Sequence, residues 1–316
     1  MPVTASILTV TMNPTLDVAT RVERLLNHQK LRCETETEQV GGGGINVAQV
    51  VHSLGASCTA AFTSGGWRGK EIERRLLADG LDCLPLPIAQ ESRQCFTVYE
   101  TSTQQEYRFI LPGPTLSGQE WNQCLDQLTR AAMNSGWLIA SGSLPPGVPA
   151  DFYYQLLERV RAYPVKTALD TSGLALEQAL QSDISLIKPS REELEQLIAR
   201  PLATLDQCQT ACQELLQRYR IETVALSLGA QGALIMQGDV CLHIEPLRVS
   251  VTSTVGAGDS FVGGMVWALA QGHELAQAAR IATAAAAAAL QTQGKLRFDR
   301  GSILRSASSV KVNRLA

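Results

Sequence analysis

Residues 165–190 read VKTALDTSGLALEQALQSDISLIKPS. An apolar run ends at Asp170, a polar, glycine-bearing turn leads into a helical stretch, and a second apolar run ends at Lys188-Pro189. Short apolar runs bounded by turn residues read as buried strands. Two such strands with a helix between them pair in parallel. The unit recurs around ILTVTMN (7–13), CTAAFTSG (58–65), WLIASGS (137–143) and ETVALSLG (222–229). GGINVAQVVHSLG (43–55) reads as a helix, since Val47, Val50, Val51 and Leu54 fall on one face. The alternation predicts an α/β fold, a mostly parallel sheet with helices on both faces. Ligands of such sheets sit beyond the carboxyl ends of the strands. Asn13, Ser141, Asp170, Lys188, Ser227 and Gly229 stand at those ends.

Two stretches break the pattern. Residues 15–40 are polar, mixed in charge and not helical, and QCFTVYETSTQQEYRFIL (94–111) alternates and turns like a hairpin. Both read as strand-bearing insertions that form a small sheet over the site, a lid. With no internal repeat and no linker composition, residues 1–316 are expected to form one main domain plus that lid.

At 316 residues and 45% hydrophobic content the chain can bury a large core. Its net charge of −3 argues against a nucleic-acid or membrane partner. One basic stretch, Lys295, Arg297, Arg300, Arg305, Lys311 and Arg314 against Asp299, reads as a solvated end segment. The eight cysteines are scattered without a C-x-x-C pair, and Cys208 and Cys212 have no nearby histidine, so zinc is not expected. Scattered thiols without a signal peptide point to the cytoplasm. The apolar run 281–290 is too short to cross a bilayer.

The chemistry concentrates in two glycine-bearing junctions. In VTSTVGAGDSFVGG (251–264) a strand-like run stops at Gly256-Ala257-Gly258, and a helix opens with Asp259 in its first turn. Free N–H groups and the helix dipole at such a start suit a phosphate oxygen. Asp259 reads equally as a helix cap. In VGGGGINVA (40–48) four glycines precede a helix, which packing alone does not justify. They allow close backbone approach to a polar ligand, to which Asn46 would present its amide. GGWRGKE (65–71) lacks Walker spacing, and no G-x-G-x-x-G follows the first strand.

TVGAGDS and GGGGINVA, together with TMNPTLD, SGSLPPG, LIKPSREEL and SLGAQGAL, resemble the signatures of the ribokinase-like PfkB carbohydrate kinases along nearly the whole chain. Within the family, NPTLDVAT, KLRC and YRFILPG are similar to the 6-phosphofructokinase branch. The resemblance implies an ATP- and Mg²⁺-dependent kinase acting on the 1-hydroxyl of fructose 6-phosphate, with a monovalent cation such as K⁺ beside the anion hole. It implies Asp259 as base and Gly256, Ala257 and Gly258 as the anion hole. Asp17, Gly42, Gly43, Asn46 and Ser141 would line the sugar pocket, and Lys30, Arg32, Arg93 and Arg108 would meet the substrate phosphate. Lys188, Ser190, Ser227, Gly229 and Gly232 would contact ATP, with the alanines 284–289 packed near its base. Where the family has N-x-x-E, this chain has Ser190-Arg191-Glu192-Glu193. Glu193 would still organise Mg²⁺, with a weaker Mg²⁺ response. A homodimer through the lid sheets is also implied. Tagatose 6-phosphate or fructose 1-phosphate as acceptor, or a non-catalytic sugar-phosphate sensor, stay open.

Overall fold

The computed structural model describes residues 6–34, 37–292 and 296–315. Residues 35 and 36, within the first insertion, and Lys295 of the basic stretch lie outside them. The chain runs β1 (Ile7–Thr11), β2 (Thr15–Val22), β3 (Thr37–Gly41), α1 (Gly43–Ser53), β4 (Cys58–Ser64), α2 (Gly66–Ala78), β5 (Asp82–Pro87), β6 (Arg93–Glu100) and β7 (Gln105–Phe109). It continues through α3 (Gly118–Ala132), β8 (Trp137–Ser141), α4 (Phe152–Val160), β9 (Lys166–Asp170), α5 (Gly173–Ala179), β10 (Ile184–Ile187), α6 (Arg191–Ile198), α7 (Leu205–Arg218) and β11 (Ile221–Ser227). Then come β12 (Ala233–Gln237), β13 (Val240–Ile244), α8 (Ala257–Ala270), α9 (Leu275–Leu290), α10 (Arg300–Ser308) and β14 (Val312–Leu315).

Ten of these strands form one sheet in the order β14-β13-β12-β11-β10-β9-β8-β1-β4-β5. It is parallel from β5 to β11 and antiparallel from β11 to β14. The strands expected at 7–13, 58–65, 137–143, 165–170, 183–188 and 222–229 all lie in its parallel part. Alternate residues of each strand serve opposite faces. Ile7, Trp137 and Ile139 enter the core beneath α1, α8 and α9, while Leu8, Leu138 and Ala140 enter the core beneath α3, α4 and α7. A sheet sandwiched this way has no face left for polar residues, which is why its strands read as unbroken apolar runs.

The second sheet has the order β3-β2-β6-β7. Only Met12, Asn13 and Pro14 separate β1 from β2, so this sheet leaves directly from the carboxyl end of the main one. Register places Asp17 beside Gln39 on one side and Cys95 on the other. Leu16 and Val18 are buried, whereas the cross-strand pair Phe96 and Phe109 is 39% and 49% exposed.

One expectation needs correction, and two others gain detail. Residues 251–255 form no strand: Thr252 and Ser253 both give their N–H groups to the Leu290 carbonyl at the end of α9 (2.7 and 3.3 Å), and Val251 is 61% exposed. The β-branched composition was outweighed by the absence of a pairing edge there. The cations Arg297, Arg300, Arg305, Lys311 and Arg314 are exposed as expected, but the segment that carries them is folded. It forms α10 and β14, buries Ile303, Ala307 and Val310, and ties down through Arg297 to Asp79 and Arg280 to the Val310 carbonyl. The alanines of α9 pack against α8, where a Cβ on Gly264 would lie 3.0 Å from Ala282 Cα and 3.1 Å from Ala285 Cβ.

Candidate active site

The carboxyl end of β1, the start of α1, the end of β8 and the start of α8 converge on one carboxylate. Asp259 Oδ2 accepts from Asn46 Nδ2 (2.8 Å) and Oδ1 from the Ser141 hydroxyl (3.4 Å). Burial, then the nearby Asp170 charge, push its carboxyl up to about 6, against the pull of Asn46, Lys188 and Ser141. A carboxylate so tuned is poised to accept a proton near neutral pH. Asp259 makes no side-chain cap, which removes the capping alternative.

Directly before it, Gly256 takes the left-handed conformation (φ 75°) that a non-glycine residue rarely adopts. The first intrahelical donor is Ser260, whose N–H reaches the Gly256 carbonyl at 2.8 Å. The N–H groups of Ala257, Gly258 and Asp259 have no partner among the described residues. These free donors fit a phosphate oxygen. Gly258 stands beside a cation, since a Cβ there would lie 3.6 Å from Lys188 Nζ.

Lys188 is buried and paired with Asp170 (3.1 Å). Burial alone would lower its ammonium pKa, but Asp170, Glu193 and Asp259 together hold it above the ordinary value. Asp170 marked a strand end in the sequence, yet no motif gave it a role. Its pairing with Lys188 emerges only because β9 and β10 are neighbours in register.

Ser190 and Glu193 form a reciprocal cap on α6: Ser190 Oγ accepts from Glu193 N–H (3.1 Å), and Glu193 Oε2 accepts from Ser190 N–H (2.7 Å). S-x-x-E before an apolar turn is a capping signature that was legible in the sequence. Glu193 Oε1 enters no described hydrogen bond, so the carboxylate can still orient a metal-bound water. Among the described residues no three acidic, histidine or cysteine side chains make a metal cage. Mg²⁺ needs none, since it keeps waters and leans on substrate phosphates. Ser227 joins this corner through its N–H to the Pro189 carbonyl (3.0 Å). Gly229 (φ 58°) and Gly232 (φ 91°) turn the chain from β11 into β12, and Gly232 is required because a Cβ would lie 2.0 Å from the Ile244 carbonyl oxygen.

The four glycines pack closely against the protein's own atoms. A Cβ on Gly43 would fall 2.2 Å from Ser141 Oγ, and one on Gly44 would fall 2.4 Å from the Val10 carbonyl oxygen. Gly41 and Gly42 are closed off in the same way by Asp17 and Thr11. The Asn46 amide donates to Asp259, a contact that orients the carboxylate.

Asp17 takes a hydrogen bond from Thr15 Oγ1 (3.0 Å). Burial raises its pKa, while Thr15, Arg108 and Arg93 act in the opposite direction. Arg93 is not a free lid cation. Its Nη2 donates to the Asn13 carbonyl (2.9 Å) and its Nη1 to the Leu111 carbonyl (3.3 Å), joining the main sheet to the segment after β7. Arg108 is exposed on β7. Lys30 and Arg32 are exposed on the connection between β2 and β3, and no described contact brings them to Asp259.

Free N–H groups at a helix start, a carboxylate of raised pKa and a small second sheet are set in a ribokinase-like fold. The chain belongs to the pfkB family of carbohydrate kinases, whose profile matches residues 11–297. It is 40% identical over 299 residues to the ATP-dependent 6-phosphofructokinase isozyme 2 of Mycobacterium tuberculosis, covering 95% of this chain and 88% of that one. Two solved structures of Escherichia coli phosphofructokinase-2 are similar to it. The one in complex with potassium has TM-score 0.91 at 35% identity, and the one in complex with fructose-6-phosphate has TM-score 0.89 at 34%. Each comparison covers 96% of this chain and 99% of the other.

Proposed function

We propose that this chain is an ATP-dependent kinase that phosphorylates the 1-hydroxyl of fructose 6-phosphate to give fructose 1,6-bisphosphate. The observation that carries the reading is Asp259, held by Asn46 and Ser141 one residue past the free N–H groups of Ala257 and Gly258. The proton of the sugar hydroxyl passes to Asp259, the oxygen bonds to the γ-phosphorus, and the bond to the leaving ADP oxygen breaks. Charge on the transferring group meets the Ala257 and Gly258 N–H groups and Lys188, fixed donors that need no reorganisation. Mg²⁺, with Glu193 orienting its water, would offset the polyphosphate charge. The similarity to proteins with fructose-6-phosphate and potassium complexes supports that acceptor and K⁺ as the monovalent cation.

Asp17 and the Gly42–Gly43 turn line the sugar side in this reading, with Arg93, Arg108, Lys30 and Arg32 toward the substrate phosphate. The β3-β2-β6-β7 sheet acts as a lid, and its exposed Phe96–Phe109 pair forms part of a homodimer interface. The cytoplasm suits the eight cysteines, none of which is bridged.

The deciding experiment is ADP release from ATP and Mg²⁺ with fructose 6-phosphate, tagatose 6-phosphate, fructose 1-phosphate, fructose and adenosine as acceptors. A preference for fructose 6-phosphate is expected. Preference for another phosphosugar would reassign the acceptor, and turnover with none would favour the sensor.

A further inference from the structure

We infer that Glu100 is a positioning residue for the substrate phosphate, acting through the loop that carries Lys30 and Arg32. This rests on the reading above, in which those cations meet that phosphate.

Glu100 ends β6 at the tip of the second sheet, where residues 101–106 are exposed, yet it is itself only 4% exposed. Its carboxylate accepts from the Thr103 hydroxyl (2.7 Å), the Leu25 N–H (2.8 Å) and the Tyr107 hydroxyl (3.2 Å). Thr103, Leu25 and Tyr107, with Arg24 nearby, hold its carboxyl below the ordinary value despite desolvation. Two of these bonds close the β6–β7 hairpin. The third leaves it and seizes the start of the β2–β3 connection.

Among its described residues, that connection is pinned near both ends and not between. At the start, Thr101 and Ser102 donate their N–H groups to the Val22 and Glu23 carbonyls (both 3.0 Å), beside the Leu25–Glu100 bond. At the return, Glu34 N–H reaches the Arg21 carbonyl (3.0 Å), and Thr20 Oγ1 donates to the Glu34 carbonyl (3.1 Å). Residues 26–33 make no hydrogen bond among the described residues, and His28 turns them with φ 59°. The course of Lys30 and Arg32 is therefore set by the two anchors. Of these, Leu25–Glu100 is the one that links the loop to a buried side chain of the hairpin. Long cations lose much freedom when they grip a phosphate, so a loop fixed beforehand binds better.

The test is steady-state kinetics with a double-mutant cycle. Glu100→Ala should raise KM for fructose 6-phosphate on the order of tenfold, the scale of one charge-assisted contact, with kcat and KM for ATP within about twofold. Glu100→Gln should restore most of the loss, since its amide oxygen can still accept from Leu25 N–H and its NH₂ can donate to the two hydroxyls. Lys30→Ala added to Glu100→Ala should do no more than the worse single change. Thr103→Val, which weakens hairpin closure but spares the Leu25 bond, should leave KM nearly unchanged. Should Glu100→Ala not fold, Leu25→Pro removes the donor from the other side of the bond. Independent multiplication of the Glu100 and Lys30 effects, an equal effect of Thr103→Val, or parallel losses in kcat and both KM values would overturn the inference. Absence of wild-type turnover with every phosphosugar would instead defeat the underlying reading. Wild-type turnover with an unaltered Glu100→Ala would defeat this inference alone.

Discussion

Asp170 and Lys188 form a buried ion pair, Oδ1 to Nζ at 3.1 Å, and the lysine end of that pair rests against the first turn of α8 beside Gly258. One carboxylate therefore acts on both sides of the site. It fixes the cation beside the free N–H groups of α8, and its charge raises the proton affinity of Asp259. Removing that charge in Asp170→Asn should move the acid limb of the kcat profile to lower pH. A limb that stays in place or moves up would contradict this coupling, and kcat measured from pH 5 to 8 decides it.

Asp259→Asn should lower kcat on the order of 10²–10⁴-fold, the usual worth of a positioned general base. Fructose 6-phosphate binding, followed by calorimetry, should largely survive. Near-normal turnover would remove Asp259 from the chemistry. In the wild type, kcat should fall on the acid side with a midpoint near the raised value of about 6, because the base works ionised.

The same raised pKa has a stability consequence of opposite sign to its catalytic benefit. With the folded carboxyl near 6 and its ordinary value at 3.8, the folded state holds the proton more tightly across that interval, so stability declines as pH rises through it. Above pH 6 the ionised Asp259 costs about 1–3 kcal/mol, discounted for its partial exposure. Asp259→Asn should therefore be more stable than wild type by that amount in urea melts at pH 7.5, with the advantage gone near pH 4. A variant less stable at pH 7.5 would refute the assignment.

Capping and metal handling at Ser190 and Glu193 separate by substitution. Ser190→Ala should cost about 1 kcal/mol of stability through the lost cap, whereas Ser190→Asn should hold it. Glu193→Gln preserves the reciprocal cap but loses the charge. It should leave the melting temperature nearly unchanged and raise the Mg²⁺ concentration needed for half-maximal rate. An unchanged Mg²⁺ dependence in both Ser190→Asn and Glu193→Gln would confine this corner to a structural role.

Phe109→Lys should shift the protein toward monomer in sedimentation, if the exposed face of the second sheet is the dimer interface. A monomeric wild type, or an unaltered assembly in the variant, would rule that face out.

The parallel sheet was legible because strands buried on both faces leave the unbroken apolar runs at 58–65, 137–143 and 222–229. The hairpin at 94–111 was legible from its alternation. What the sequence hid was contact between distant segments. Asn46 was identified as polar and near a glycine turn, but its bond to Asp259 depends on α1 and α8 meeting 213 residues apart. Arg93 looked like any lid cation until its guanidinium was found on two backbone carbonyls. The run 251–255 misled because β propensity is expressed only where a neighbouring edge is available.

The turn at 41–44 has a consequence for how this protein can change. Asp17, Thr11, Ser141 and the Val10 carbonyl press into the space that side chains would occupy there, so a methyl at Gly43 or Gly44 meets backbone and one at Gly41 or Gly42 displaces a neighbouring side chain. That seam offers no room for gradual variation, whereas the loop at 26–33 touches little and tolerates nearly any residue sterically. A search for variants with altered acceptor preference should place its diversity in that loop and leave the glycines untouched.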